Sequence, residues 1–253
     1  MSKAIVLVAF GSAYLDGIKN SIMLLEEEFA NEFNDEYLII TAFTSKKVIS
    51  LLKERYNFFI PHITEALFNL ANDGYDEVII QPLHMIEGSG YNALKEIVNE
   101  YTYSFKKISL NDSLIYNDES INKLIDCLIN SMEKGPILLA GHGLKNDSNE
   151  IYYKIKKSLS EKLDSNIYLA TIEGDITIDN AIKEIKGDGI DEVTIKPLFI
   201  IPGKHIINDI CTGSNSWKEK LEKEGIEVKL SKTSLLQYEE VRRMFINKVI
   251  ISK

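Results

Sequence analysis

Cysteine and histidine are both scarce in this sequence. The 253 residues include two cysteines, Cys127 and Cys211, far apart and in no CxxC pair. That argues against a disulfide scaffold and a structural zinc site, and for a reducing cytoplasmic compartment. The histidines are His62, His84, His142 and His205, so any imidazole chemistry must use one of these four. No apolar run approaches the roughly 18–20 residues that span a bilayer, so no membrane segment is expected. The stretch from Met1 to Phe10 lacks a secretory cleavage pattern and reads as a first buried strand. Positive charge is also short: 29 basic residues face 38 acidic ones, a formal charge of −9. A nucleic-acid partner, which needs clustered Lys and Arg, is therefore not expected. Neither GxGxxG nor GxxxxGK(S/T) follows the first strand, so dinucleotide and P-loop readings fail.

What is present is an ordinary globular composition, 45% apolar and 26% charged, which excludes a disordered or fibrous chain. Strand-like runs lie at residues 5–10, 37–43, 77–83, 108–115, 136–140, 166–172, 192–198 and 226–231. Between them run helical patterns: Ile18, Ile22, Leu25 and Phe29, then residues 46–56, 62–73, 91–101, 121–132, 147–163, 175–187, 206–223 (interrupted at Gly213) and 237–250. Long apolar runs alternating with amphipathic helices predict parallel sheets with helices on both faces. The two halves repeat each other. Gly74-Tyr75-Asp76-Glu77-Val78-Ile79-Ile80-Gln81-Pro82-Leu83 matches Gly189-Ile190-Asp191-Glu192-Val193-Thr194-Ile195-Lys196-Pro197-Leu198, and Ile86 and Gly88 continue the match at Ile201 and Gly203. The expected fold is α/β with two similar lobes, residues 1–133 and 134–253, each a four-stranded parallel sheet flanked by helices, with a cleft between them.

Ligands of open parallel sheets bind beyond the carboxyl ends of the strands. Three reactive side chains fall there in the second half. His142 sits in Gly141-His142-Gly143 after the fifth strand, Glu173 follows the sixth, and His205 ends Pro202-Gly203-Lys204-His205 after the seventh. Two imidazoles and a carboxylate suit a first-row divalent ion and leave open positions for substrate. The same set is also suited to proton transfer near neutral pH. Taken singly, each has a plainer reading: His142 as a turn residue, Glu173 as an acidic residue near a helix N-terminus, His205 as a loop residue. Three such groups at three strand ends favour a shared site. In the first half, His84 ends the third strand in Pro82-Leu83-His84, facing either substrate or core. Glu87 precedes Gly88-Ser89-Gly90, either to accept a metal or proton or to be solvated. Phe10 and Tyr14, around Gly11-Ser12-Ala13, are an aromatic wall for a flat ligand or part of the core. His62, in Ile60-Pro61-His62-Ile63, reads as a helix-start residue.

These residues carry a resemblance that runs over essentially the whole chain. Phe10-Gly11-Ser12, Ala42-Phe43-Thr44-Ser45, Pro82-Leu83-His84, Gly141-His142-Gly143, Glu173, the run Gly203-Lys204-His205-Ile206-Ile207-Asn208-Asp209 and Ser216-Trp217-Lys218 resemble the anaerobic sirohydrochlorin cobaltochelatases of cobalamin biosynthesis. That family is part of the ATP-independent class II chelatases, with the ferrochelatases. The resemblance implies insertion of Co²⁺ into sirohydrochlorin, or its precorrin-2 precursor, without ATP or nucleotide. It implies that His142, Glu173 and His205 hold the metal and that His142 and Glu173 are catalytic, with His142 the leading proton acceptor. Phe10, Ser12, His84, Glu87 and Lys204 are the expected substrate contacts. The Glu87-Gly88-Ser89-Gly90-Tyr91 loop departs from the family in carrying fewer acidic residues.

The chemistry expected of such a site exchanges two pyrrole N–H protons for one divalent ion, on a ring distorted by remote binding contacts. A polycarboxylate substrate conflicts with a net negative protein, so local cations are needed; Lys46, Lys47, Lys145 and Lys204 are the candidates, Lys204 foremost. Alternatives are iron insertion into sirohydrochlorin or a porphyrin, a non-catalytic tetrapyrrole or metal carrier, and a two-lobed binding protein of the periplasmic type, against which the absent leader argues. A homo-oligomer is compatible with the chain.

Overall fold

The computed structural model describes residues 2–33, 36–132, 134–145, 149–201, 203, 205–231 and 233–252, without the side chains of 205–207. The first sheet is built from β1 (Lys3–Ala9), β2 (Leu38–Phe43), β3 (Glu77–Pro82) and β4 (Lys107–Leu110) in the order β2-β1-β3-β4, and every pair is parallel. Its helices are α1 (Leu15–Lys19), α2 (Ile22–Phe33), α3 (Lys46–Tyr56), α4 (Ile63–Asn72) and α5 (Ser89–Glu100). After α6 (Asp118–Ile129) comes the second sheet: β5 (Ile137–Gly141), β6 (Ile167–Thr171), β7 (Glu192–Pro197) and β8 (Glu227–Leu230), ordered β6-β5-β7-β8 and again all parallel. With it come α7 (Glu150–Lys162), α8 (Ile178–Gly187), a π-helix over His205–Thr212, and α9 (Trp217–Lys223); α10 (Glu239–Ser252) ends the chain. The expected pair of four-stranded parallel sheets is therefore what the chain forms.

The central strands of each sheet are buried on both faces, which is why β1 and β5 read as unbroken apolar runs, whereas the edge strands β4 and β8 are partly exposed. In the first, Val6, Val8, Val78 and Ile80 pack on Ile63, Leu67 and Leu70 of α4 and Leu94 and Val98 of α5. In the second, Leu138, Ala140, Val193 and Ile195 pack on Ile178, Ala181 and Ile185 of α8, Ile210 of the π-helix, and Trp217 and Leu221 of α9. His62 caps α4, its Nδ1 accepting the Thr64 N–H at 3.3 Å, in the helix-start role its sequence suggested. Cys127 and Cys211 are unbridged. Among the described residues no helix is long and apolar enough to cross a membrane.

The two compact units are Met1–Tyr116 with Leu236–Lys253, and Asn117–Leu235. They depart from the expected division into 1–133 and 134–253, because the helix after each fourth strand is traded. α6 follows β4 but packs beside α7, with Lys154 and Lys162 reaching Asp118 and Asp126. α10 follows β8 but lies on α2 and β3. There the Arg242 Nε meets Glu28 at 2.7 Å while its Nη1 donates to the Leu236 carbonyl at 2.9 Å. Two expected elements also differ. The helical pattern from Ile18 to Phe29 is broken at Asn20-Ser21, where the Ser21 hydroxyl turns back to the Gly17 carbonyl. The fourth strand, expected to reach residue 115, ends at Leu110. Pro82 closes β3 without a donor for the ladder, although Leu114 and Ile115 still donate to the His84 and Met85 carbonyls at 2.8 Å each.

Candidate metal centre

β5 is a central strand, paired with β6 on one side and β7 on the other. Its end delivers His142 through a turn with two glycines, and each is required by contact. A Cβ on Gly141 would run into the Tyr152 ring. Gly143 has φ +79°, and a Cβ there would strike the Glu173 carbonyl and lie 2.8 Å from Thr171 Cβ. Those absent side chains let the β6 exit close onto the β5 exit. The Ile172 N–H donates to the Gly141 carbonyl at 3.1 Å, and the Glu173 N–H to the His142 carbonyl at 2.8 Å. The Thr171 hydroxyl donates to the Glu173 carbonyl at 2.7 Å, and its N–H to Ile176 O at 2.7 Å, tightening the same loop. His142 and Glu173 are thus neighbours through their backbones.

The His142 ring is half-buried and meets Phe199 edge-on at 6.4 Å and 71°. Its Nδ1 lies 3.2 Å from the Gly143 carbonyl. With the proton on Nδ1 that contact is a hydrogen bond, and Nε2 becomes the lone-pair nitrogen, the form a metal requires. Glu173 is exposed. His205 opens the π-helix, a rare element found disproportionately at functional sites. Its side chain, and Lys204 as a whole, lie outside the described residues. Among the described residues, which exclude the His205 imidazole, no three His, Cys, Asp or Glu side chains are close enough to hold an ion.

Two residues of this region have no counterpart in the sequence reading. Asn149 precedes α7 and is 4% exposed. Its Oδ1 accepts the Leu144 N–H at 2.8 Å, while Nδ2 donates to Asp175 Oδ1 at 2.9 Å and lies 3.3 Å from the Leu144 carbonyl. Gly174, at φ +92°, leaves the space that this amide fills. Tyr152 is 2% exposed, and its hydroxyl oxygen accepts the Gly143 N–H at 3.2 Å. Burial raises the Tyr152 phenol above its ordinary pKa, against the lowering effect of hydrogen bonds from the Gly143 and His142 backbone. An asparagine before a helix carries a capping signal; a tyrosine on an apolar helix face looks like core in any sequence.

The expected substrate contacts of the first unit are spread over two loops. Phe10 is 63% exposed after β1, whereas Ser12 is buried with its Oγ accepting the Tyr14 N–H at 3.2 Å. Tyr14 is half-buried. His84 stands after β3, its ring edge-on to Tyr91 at 6.3 Å and 85°. Both of its ring nitrogens are buried, and among the described residues neither has a hydrogen-bond partner. Burial without a partner pushes the His84 pKa down from 6.5 to about 4, so the ring is neutral at physiological pH. Gly90 sits against it; a Cβ there would lie 3.3 Å from Nε2. Glu87 is exposed, as are Lys46, Lys47 and Lys145.

Comparison with known proteins places this arrangement among relatives. The family profile described as cobalt chelatase (CbiK) matches residues 3–252. A sirohydrochlorin cobaltochelatase of Salmonella typhimurium is 27% identical over 252 residues, covering 97% of this chain and 94% of its own. A sirohydrochlorin cobaltochelatase (CbiKC) of Nitratidesulfovibrio vulgaris is 24% identical over 235 residues, covering 88% and 81%. Among solved structures, the sirohydrochlorin chelatase SirB of Bacillus subtilis subspecies spizizenii, in complex with cobalt, superposes with a TM-score of 0.66. It covers 99% of this chain and 94% of that one, and at 15% identity it speaks for the fold alone.

Proposed function

The chain belongs to the cobalt chelatase family, and from that premise we propose that it inserts Co²⁺ into sirohydrochlorin, without ATP, in cobalamin biosynthesis. Two pyrrole N–H protons leave as the ion enters, so the reaction balances with no redox step. His142, Glu173 and His205 hold the incoming ion, two neutral nitrogen donors and one charge-balancing oxygen donor suited to a borderline cation. As pyrrole nitrogens displace these ligands, His142 and Glu173 become the acceptors for the two protons. Phe10, His84, Glu87 and Lys204 contact the macrocycle, with Ser12 in the same loop as Phe10. A cytoplasmic setting belongs to the same proposal.

The single observation that carries this reading is the hydrogen bond from the Glu173 N–H to the His142 carbonyl at 2.8 Å. It joins an imidazole turn and a carboxylate turn at the carboxyl edge of one sheet, where α/β proteins bind ligands. The test is anaerobic absorbance of sirohydrochlorin with Co²⁺, in substrate excess, comparing the wild type with His142→Ala. Multiple turnovers in the wild type and a loss of about 10²–10⁴-fold in the variant are expected. Equal rates would remove His142 from the mechanism, and a single stoichiometric binding event would make the protein a carrier.

A further inference from the structure

We propose that Asn149 and Tyr152 are positioning residues of the metal site, and that the start of α7 is a bracket setting the spacing of the His142 and Glu173 turns. The inference rests on the reading that those two side chains hold the ion. Asn149 occupies the position from which an asparagine ordinarily caps its own helix, stabilising it by about 1 kcal/mol. It makes no cap hydrogen bond. Its amide spans two turns instead, taking the Leu144 N–H at the exit of the His142 turn and giving a hydrogen bond to Asp175 in the Glu173 loop. Tyr152, one turn further on, places its ring under Gly141 and its hydroxyl on the Gly143 N–H. A residue needed only for packing would do as well as phenylalanine here; the hydroxyl's described bond goes to the turn that carries the histidine. The close neighbour of Gly11, the equivalent glycine of the first unit, is Phe43, which holds the strand position that Thr171 holds in the second. The polar bracket lies under the turn that bears the imidazole.

Groups that orient metal ligands from behind typically change affinity or activity by about 10–100-fold when removed. The full-length chain is titrated with Co²⁺ alone, following the visible ligand-field bands. Steady-state kinetics then vary Co²⁺ and sirohydrochlorin separately. Tyr152→Phe keeps the ring and loses one acceptor. It is expected to weaken Co²⁺ binding about ten-fold, raise KM for Co²⁺ by a similar factor, and leave KM for sirohydrochlorin unchanged. Asn149→Ala is expected to do the same and to alter the band shape. Leu159→Ala, a core truncation further along α7, should lower the melting temperature without moving the Co²⁺ bands. If Tyr152→Phe binds and turns over cobalt like the wild type, or if affinity merely tracks stability across all three variants, the bracket is refuted. If His142→Ala also leaves the cobalt bands unchanged, the underlying site reading fails, and the bracket with it.

Discussion

The two units align residue for residue through their ladders. Leu7 pairs with Gln81 and Val8 with Pro82 in the first; Leu139 pairs with Lys196 and Ala140 with Pro197 in the second. The hydrogen bonds beyond the strands match as well. Leu83 donates to Val8 at 2.7 Å and Leu198 to Ala140 at 2.8 Å; Leu114 donates to His84 and Leu235 to Phe199, both at 2.8 Å. Ser45 donates to Phe10 at 3.2 Å where Glu173 donates to His142 at 2.8 Å. On this shared backbone the side chains have been exchanged. Phe10 stands where His142 stands, Ser45 where Glu173 stands, and His84 where Phe199 stands. Each unit has one imidazole and one phenyl at the same two strand ends, in opposite order. The parallel sheet determines where side chains can be presented, and single residues decide which chemistry each unit presents there.

The largest effect expected from breaking this comparison comes from His142→Phe, which gives the second unit the residue of the first. Cobalt insertion should fall by about 10²–10⁴-fold while the fold is kept, as single-turnover absorbance and circular dichroism would register. The turn glycines come next. Gly11 and Gly143 both have positive φ, at +105° and +79°. A methyl at Gly143 meets the Glu173 backbone, whereas one at Gly11 meets a side-chain ring. Gly143→Ala should therefore cost about 3 kcal/mol in urea unfolding, and Gly11→Ala about 1–2 kcal/mol.

A smaller effect tests the traded helix. Arg242, buried on α10, pairs with Glu28 of α2. Arg242→Met should cost about 1 kcal/mol of stability, because it leaves that half-exposed carboxylate without its partner. A neutral result would separate α10 from the first unit. The remaining effect is a pH dependence. His84 has its pKa lowered from 6.5 to about 4, so between those values the unfolded chain binds a proton that the folded protein does not. Its contribution to stability is intact above about pH 6.5 and declines as pH falls toward 4. His84→Phe, the residue the second unit has there, should flatten that part of the curve relative to the wild type, read from melting temperatures at pH 7.5 and 4.5.

Much of this fold is legible in the chain because the central strands of each sheet are covered on both faces. Runs such as Val78-Ile79-Ile80 and Ala4 to Ala9 admit no half-exposed alternative, and the repeated Asp-Glu-Val segments mark the third strand of each unit. The division of units is not legible. The apolar faces of α6 and α10 show that each is buried but not against which sheet, and only tertiary pairs such as Arg242 with Glu28 decide it. His142 and Glu173 are legible as a pair because strand ends in a parallel sheet share one edge. Tyr152 is not, since its position in the helical pattern is that of any core aromatic and its role lies in one hydroxyl. Ser12 has an exposed neighbour, Phe10, but is itself turned inward, a difference that the glycine turn between the strand and α1 determines.

The most direct test of the central claim is X-ray absorption at the cobalt edge on the Co²⁺-loaded protein without tetrapyrrole, repeated for His142→Ala, Glu173→Gln and His205→Ala. Two imidazole nitrogens and a carboxylate oxygen are expected in the wild type. One imidazole should be lost in each histidine variant, and the oxygen shell should change in Glu173→Gln. A cobalt environment of oxygen donors alone, unchanged by all three substitutions, would contradict the account.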